Sequence, residues 1–232
     1  MERVKAWTTY SDEQLRQLEA FSNDYMAFLN AAKIERECVT EGVRIAEEAG
    51  FKRLKGLIDS NTELKAGDRV YSTWMGKSFL MFILGKKPVQ EGMNILGAHI
   101  DSPRIDVKQN PLYEEGDFTY LDTHYYGGIK KYQWTAMPLS LHGVVVLKDG
   151  TEVEVSIGEK EGEPQFVVSD LLPHLSGEQD KRTLKDGIKG EELNIIVGSY
   201  PFKDDKGSEL VKLNILNINN CGSCIFQSLN QR

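Results

Sequence analysis

Basic residues, cysteines and long apolar runs are scarce in this sequence, and each scarcity removes a class of function. Against 35 acidic residues stand 28 basic ones, a formal net charge of -7, which leaves no basic face able to neutralise a run of phosphates. Nucleic acid is therefore not an expected partner. The longest solid apolar run, Phe79 to Leu84, is far shorter than a membrane span, and the opening stretch MERVKAWTTYS carries no apolar segment of the signal-peptide kind. These features lead us to expect a soluble, cytoplasmic protein with no membrane partner. Three cysteines do not make a secreted disulfide framework. Cys38 stands alone in a helical context, and the Cys221-Gly-Ser-Cys224 pair lacks the second pair or the thioredoxin-like surroundings that would give it a zinc or redox role. Phosphate-binding glycine motifs, HExxH and GxSxG are missing too.

What the sequence does contain is enough apolar material for a real core: 40% hydrophobic and 9% aromatic residues over 232 positions, compatible with one or two domains. Ser11 followed by Gln14 forms a capping-box pattern, and Leu15, Leu18, Phe21, Tyr25, Phe28, Leu29 and Ala32 recur at helical spacing. A second helix is expected through Val39, Val43 and Ala46 as far as Gly50. Strands follow around Val70 to Thr73, at Phe79 to Leu84, and at Asn94 to Gly97, the last apolar on both faces like a strand covered on both sides. Helices leading into such strands indicate an α/β layer. After Pro103 the helical period disappears and alternating β-branched residues take over. Leu139 to Lys148 and Thr151 to Ile157 are expected to form a hairpin through Asp149-Gly150. Phe166 to Val168 and Leu193 to Val197 are further expected strands, with a charged loop, Gly177 to Glu192, before the last.

The stretch Asn94 to Gly143 holds three of the four histidines. His99 falls just past the expected strand, at a carboxyl end, which is where ligands sit in α/β sheets. A neutral imidazole there is a candidate metal ligand, and Asp101 could fix its ring and tautomer. On spacing alone, His-x-Asp is weak, and a structural histidine is the commoner outcome. His124, in an aromatic segment, and His142, on a strand, read as packed or hydrogen-bonded residues. Tyr125, Tyr126, Tyr132 and Trp134 suit an interface or core role at least as well as a pocket, and the interface reading is preferred. Lys77 reads as a solvated lysine.

Longer strings carry more information than the His-x-Asp pair. GAHIDSPRIDVKQNPLYEE, then THYYGGIKKYQW and LSLHGVVVLKDG, together with YSTWMGKSFLMFILGKKP upstream, closely resemble the M18 family of metallo-aminopeptidases over roughly residues 1–216. The resemblance implies an α/β/α zinc-peptidase catalytic domain, here residues 1–105, into which a β-rich dimerisation lobe, residues 106–216, is inserted. Residues 217–232 form a divergent tail. It also implies two zinc ions, a peptide substrate that loses its N-terminal residue, often an acidic one, and a homo-oligomer assembled through the lobe. By position, His99 matches the family's first metal ligand and Asp101 the aspartate supporting it. His174, in LLPHL, matches the histidine that reaches a neighbouring subunit's site and helps hold substrate.

The family's remaining ligands and its general base lie downstream of the lobe, and the resemblance fades after about Leu216. The expectation is a truncated or frameshifted product, inactive alone because one histidine and its supporting aspartate cannot hold two metals. The alternatives are a noncatalytic assembly module and a nonfunctional remnant with exposed apolar surface.

Overall fold

The computed structural model describes residues 3–200 and, beyond them, the backbone of 202–203 and 209–210. Cys221, Cys224 and the divergent stretch 217–232 lie outside the described residues. The chain divides into two compact units, Met1–Ser102 and Pro103–Arg232. Helices with a small mixed sheet make up the first and antiparallel strands the second, a mixed α/β architecture.

In the first unit, α1 (Asp12–Ala31) begins where the capping box places it. Ser11 accepts from the Gln14 amide, and the Gln14 side chain accepts from the Ser11 amide at 2.9 Å. Asp12 and Glu13 in the first turn suit the positive end of the helix dipole. Helix α2 (Glu35–Glu48) buries Val39 and Ala46, and the chain leaves it through Gly50 at φ 81°, a left-handed exit that favours glycine. Strands β1 (Lys52–Arg53), β2 (Arg69–Trp74) and β3 (Ser78–Ile83) form one sheet in the order β1-β2-β3. Short helix α3 (Leu54–Asp59) connects β1 towards β2. β1 runs parallel to β2, and β2 pairs antiparallel with β3 from Arg69↔Ile83 to Trp74↔Ser78. Val70 and Tyr71 are buried, and the Tyr71 hydroxyl donates to Glu47 Oε1 at 2.6 Å, tying β2 to α2.

Along α1, Leu15, Leu18 and Phe28 are half-buried, while Phe21, Tyr25 and Leu29 stay exposed. One expectation fails in this unit. The strand expected at Asn94 to Gly97 does not form: residues 93–103 carry no regular structure, and Ile95 and Leu96 face outwards. Apolar residues on both faces fit the stretch for the middle of a sheet, but a strand exists only as half of a ladder. Among the described residues nothing pairs with it.

The second unit is built around a long hairpin that local sequence did not single out. β4 (Arg104–Glu115) and β5 (Phe118–Tyr126) pair antiparallel across the turn Gly116-Asp117, both residues at positive φ (57° and 65°) as a two-residue hairpin turn requires. The register shifts between Val107 and Leu112, around Pro111, which has no amide to give to a ladder. β5 is the middle strand of the sheet β4-β5-β8, where β8 is Ile195–Gly198. Its inward face is Thr119, Leu121 and Thr123, all essentially inaccessible. Thr123 donates its hydroxyl to the Leu193 carbonyl at 2.7 Å, and its amide donates to Asn194 Oδ1 at 3.0 Å, so the sheet closes over residues 70 apart in sequence. Leu112, Leu121, Phe166, Val168, Ile188, Leu193 and Ile195 make the core of the unit.

The second hairpin, β6 (Leu141–Val146) and β7 (Glu152–Ile157), forms in the register Leu141↔Ile157 to Val146↔Glu152. Its loop is longer than the two residues expected. Leu147 still donates to the Thr151 carbonyl, leaving Lys148, Asp149 and Gly150 to turn the chain. Gly150 takes φ 87° and Asp149 Oδ1 accepts from the Thr151 amide, so Asp-Gly sets the last two positions of a three-residue turn. Phe166 to Val168 makes isolated bridges to Leu139, Thr135 and Ile196 instead of a continuous strand. Tyr125 and Trp134, expected at an interface, pack against the core instead, while Tyr126 and Tyr132 stay exposed.

Because Leu121 is 2% exposed at the centre of this core, Leu121→Ala removes a buried side chain and leaves a cavity. The expected cost is about 2–5 kcal/mol, read as a lower urea midpoint for the second unit. An unchanged midpoint would mean that β5 is not the centre of the unit.

Candidate metal-ligand site

His99 and Asp101 lie in the irregular stretch that ends the first unit, two residues apart, and the backbone there bends so that the imidazole folds back onto the aspartate. His99 Nδ1 lies 2.8 Å from the Asp101 backbone oxygen and 3.3 Å from Asp101 Oδ1. A carbonyl oxygen can only accept, so Nδ1 carries the proton and donates it. In the neutral ring this leaves the Nε2 lone pair free. The His99 side chain is 82% exposed and that of Asp101 36%, so the aspartate is the better anchored member of the pair. The result is an oriented imidazole presenting Nε2, the arrangement by which second-sphere oxygens orient metal-binding histidines.

The pair fits one metal ligand with its orienting partner and no more. Among the described residues no group of three or more His, Cys, Asp or Glu side chains is placed to hold a metal ion, whereas a zinc site takes four donors or three and an open position. The third residue singled out in the sequence, His174, is on an exposed turn of the second unit, where the Leu175 amide donates to the Leu172 carbonyl. The structure thus joins His99 to Asp101. His174 belongs to the other unit.

The remaining histidines are held in structural clusters. His142, with only 9% of its side chain exposed, places Nε2 3.0 Å from both Ser140 Oγ and Glu159 Oε1. The grouping contains the residue types of a nucleophilic triad. Ser140, however, donates its proton to Glu159 at 2.6 Å, so the hydroxyl is spent on the carboxylate and the cluster latches β6 to the segment after β7. His124 stacks on Tyr125 and lies 3.6 Å from Glu191 Oε1. In that cluster the Lys108 ammonium contacts Asp122 at 3.1 Å and Glu191 at 3.0 Å, filling the place a cation would take. The hydrogen bond from Lys108 holds the Glu191 carboxyl below the ordinary carboxylate range, and the bond to Glu191 raises Lys108 in turn. No local pattern announces either cluster, because Lys108 and Glu191 are 83 residues apart. Burial is the main cause raising the Cys38 thiol, with Glu35 and Glu37 adding to it, which disfavours its thiolate. A cleft of about 320 Å³ in the first unit is lined by Ala49, Leu57, Leu64, Asp68 and Arg69 among others and includes neither His99 nor Asp101.

A mixed α/β scaffold and a histidine hydrogen-bonded to an aspartate two residues on do not by themselves define a class of protein; comparison with known proteins supplies the family. The profile of the family described as aminopeptidase I zinc metalloprotease (M18) matches residues 28–221, and the chain belongs to the M18 family. It is 49% identical over 219 residues to a probable M18 family aminopeptidase 1 of Clostridium acetobutylicum, covering 94% of this chain and 47% of that protein. Among solved structures, an M18 aminopeptidase from Thermotoga maritima superposes with a TM-score of 0.83 at 40% identity, covering 94% of this chain and 46% of the other. Aminopeptidase I from Clostridium acetobutylicum superposes with a TM-score of 0.81 at 46% identity, covering 94% and 48%. The chain therefore spans about half the length of the curated relatives it matches. Among the described residues no helix is long and apolar enough to cross a membrane.

The hydrogen bond to the Asp101 carbonyl predicts a single neutral tautomer for His99. In long-range 1H–15N correlation spectra at a pH where the ring is neutral, His99 should show the pattern of an Nδ1-protonated imidazole. An Nε2-protonated pattern would contradict the geometry.

Proposed function

We propose that these residues form the first part of the active site of a zinc-dependent aminopeptidase of M18 type, with His99 as a metal ligand through Nε2 and Asp101 as the residue that orients it. One observation carries the reading: the hydrogen bond from His99 Nδ1 to Asp101, which leaves Nε2 facing outwards as the free donor. Family membership supplies the chemistry in which such a donor is used. The substrate is a peptide that loses its N-terminal residue, acidic residues being the preferred class. In the complete site two zinc ions supply Lewis-acid polarisation of the scissile carbonyl and a lowered pKa for water. The role of His99 and Asp101 in that chemistry is positional. Asp101 holds the imidazole plane fixed and, through its backbone carbonyl, selects the Nδ1-protonated tautomer.

The β-rich second unit is proposed as an assembly lobe through which the protein forms a homo-oligomer, with His174 extending into a neighbouring subunit's site to contact substrate. The location proposed is the cytoplasm. One metal donor with its orienting residue, all that the described residues bring together, is too few for a metal centre, so the 232 residues by themselves are proposed to retain no stoichiometric zinc and to hydrolyse aminoacyl substrates poorly or not at all. An assembly role without catalysis is the second reading, supported by the same shortage of donors among the described residues.

The test joins residues through Leu216 to the second half of the Clostridium acetobutylicum relative and measures zinc by equilibrium competition with a chelator. The chimaera should bind zinc stoichiometrically and cleave aspartyl or leucyl substrates. Asp101→Asn should weaken zinc about 10- to 100-fold, the usual effect of losing a residue that orients a metal ligand, and His99→Ala more. Undiminished zinc affinity in both variants would refute the assignment. Tight zinc binding and robust hydrolysis by the unjoined chain would overturn the claim that it lacks a working site.

A further inference from the structure

The cleft of about 320 Å³ in the first unit has a size at the lower end of small-molecule sites and takes no part in the chemistry proposed for His99 and Asp101, neither of which lines it. Backbone hydrogen bonds set its walls. At the end of α2 the Gly50 and Phe51 amides donate to the Glu47 and Ala46 carbonyls, both at 2.9 Å. Lys52 of β1 is held beside Val70 of β2 by the parallel pairing of the two strands. Opposite, the Thr62 amide donates to the Leu57 carbonyl at 2.9 Å and the Gly67 amide to the Leu84 carbonyl at 2.8 Å. Gly50 and Gly67 both have positive φ (81° and 97°), and a Cβ built on either would meet no heavy atom within 4 Å. The space in front of them is open, and the cleft is formed before any ligand arrives.

Three charged residues line the cleft: Lys52, Asp68 and Arg69. Asp68 is already engaged, since its Oδ2 accepts from the Lys65 amide at 2.7 Å. Arg69 donates from Nη1 to the Ala49 carbonyl at 2.7 Å, and its guanidinium carbon lies 5.8 Å from the centre of the Phe51 ring. Those contacts fix the side chain in place without neutralising it. Among the described residues neither Arg69 nor Lys52 has a carboxylate within ion-pair distance. Acidic residues outnumber basic ones 35 to 28 in this chain, yet the cleft gathers two cations against one aspartate. Leu57, Leu64 and Val70 line the same cleft, the leucines half-buried and Val70 3% exposed.

We propose that this cleft is a binding site for a small amphipathic carboxylate, whose carboxyl group pairs with Lys52 and Arg69 and whose short aliphatic body rests on Leu57, Leu64 and Val70. The chemistry of the lining selects both parts of such a ligand. With only Nη1 of Arg69 committed to the protein, the rest of the guanidinium fork can donate to a carboxylate, which it matches in geometry. The apolar body displaces water from the leucines and lowers the local dielectric around the ion pair. The inference stands on the cleft alone and is independent of the metal assignment.

The test titrates the full 232-residue chain with hexanoate and follows 1H–15N chemical shifts. Saturable shifts are expected, with a dissociation constant on the order of 1 mM, confined to residues 49–52 and 57–70. Acetate, which has the charge without the body, and hexanamide, which has the body without the charge, should each bind roughly tenfold more weakly or worse. Lys52 is exposed and has no described ion-pair partner, so Lys52→Gln should leave the melting temperature unchanged and weaken hexanoate roughly tenfold. Lys52→Arg should retain binding. Absence of saturation, shifts centred outside the cleft, or undiminished binding by Lys52→Gln would overturn the proposal. Equal binding of hexanamide would show a purely apolar cleft, and equal binding of acetate a simple anion site; either result would overturn it too.

Discussion

The hydrogen bond from His99 Nδ1 to the Asp101 backbone oxygen is the constraint on which the proposed metal-ligand role depends. It is a local contact over two residues, made by a bend in irregular backbone, and it converts a mobile, largely exposed imidazole into a donor with a defined tautomer. Without it His99 would be one more surface histidine. With it, the Nε2 lone pair is presented from the segment that follows the first sheet.

The contrast with the other histidines sharpens the point. His142 and His124 have carboxylates within reach, but in each case another proton donor already occupies the carboxylate: the Ser140 hydroxyl on Glu159 and the Lys108 ammonium on Glu191. Those clusters are closed. At His99 one nitrogen is committed to the protein and the other is not, which is the asymmetry a metal ligand needs.

Legibility in the sequence followed the range of the interactions involved. Helix α1 was readable because its capping box and apolar repeat are contained within a few residues, and β2 and β3 were readable from their apolar runs. The hairpin β4–β5 was missed although Gly116-Asp117 marks its turn, because tyrosines and acidic residues interrupt the alternation and its inward face is carried by threonines. Thr119 and Thr123 read as polar in the sequence and are buried in the structure because β8 and the Leu193 carbonyl, 70 residues away, meet them. Asn94 to Gly97 failed in the opposite direction: its composition describes a strand inside a complete sheet, and the described residues do not complete that sheet. At the site, the pairing of His99 with Asp101 was legible from family resemblance, whereas the tautomer needed the backbone carbonyl, which no side-chain pattern reveals.

Anomalous diffraction collected above and below the zinc edge, on crystals of residues through Leu216 joined to the second half of the Clostridium acetobutylicum relative, addresses the central claim most directly. The account predicts an anomalous peak about 2.0–2.1 Å from His99 Nε2, with Nδ1 still donating to Asp101. A zinc peak bound through Nδ1, or zinc bound with His99 outside its coordination sphere, would contradict it.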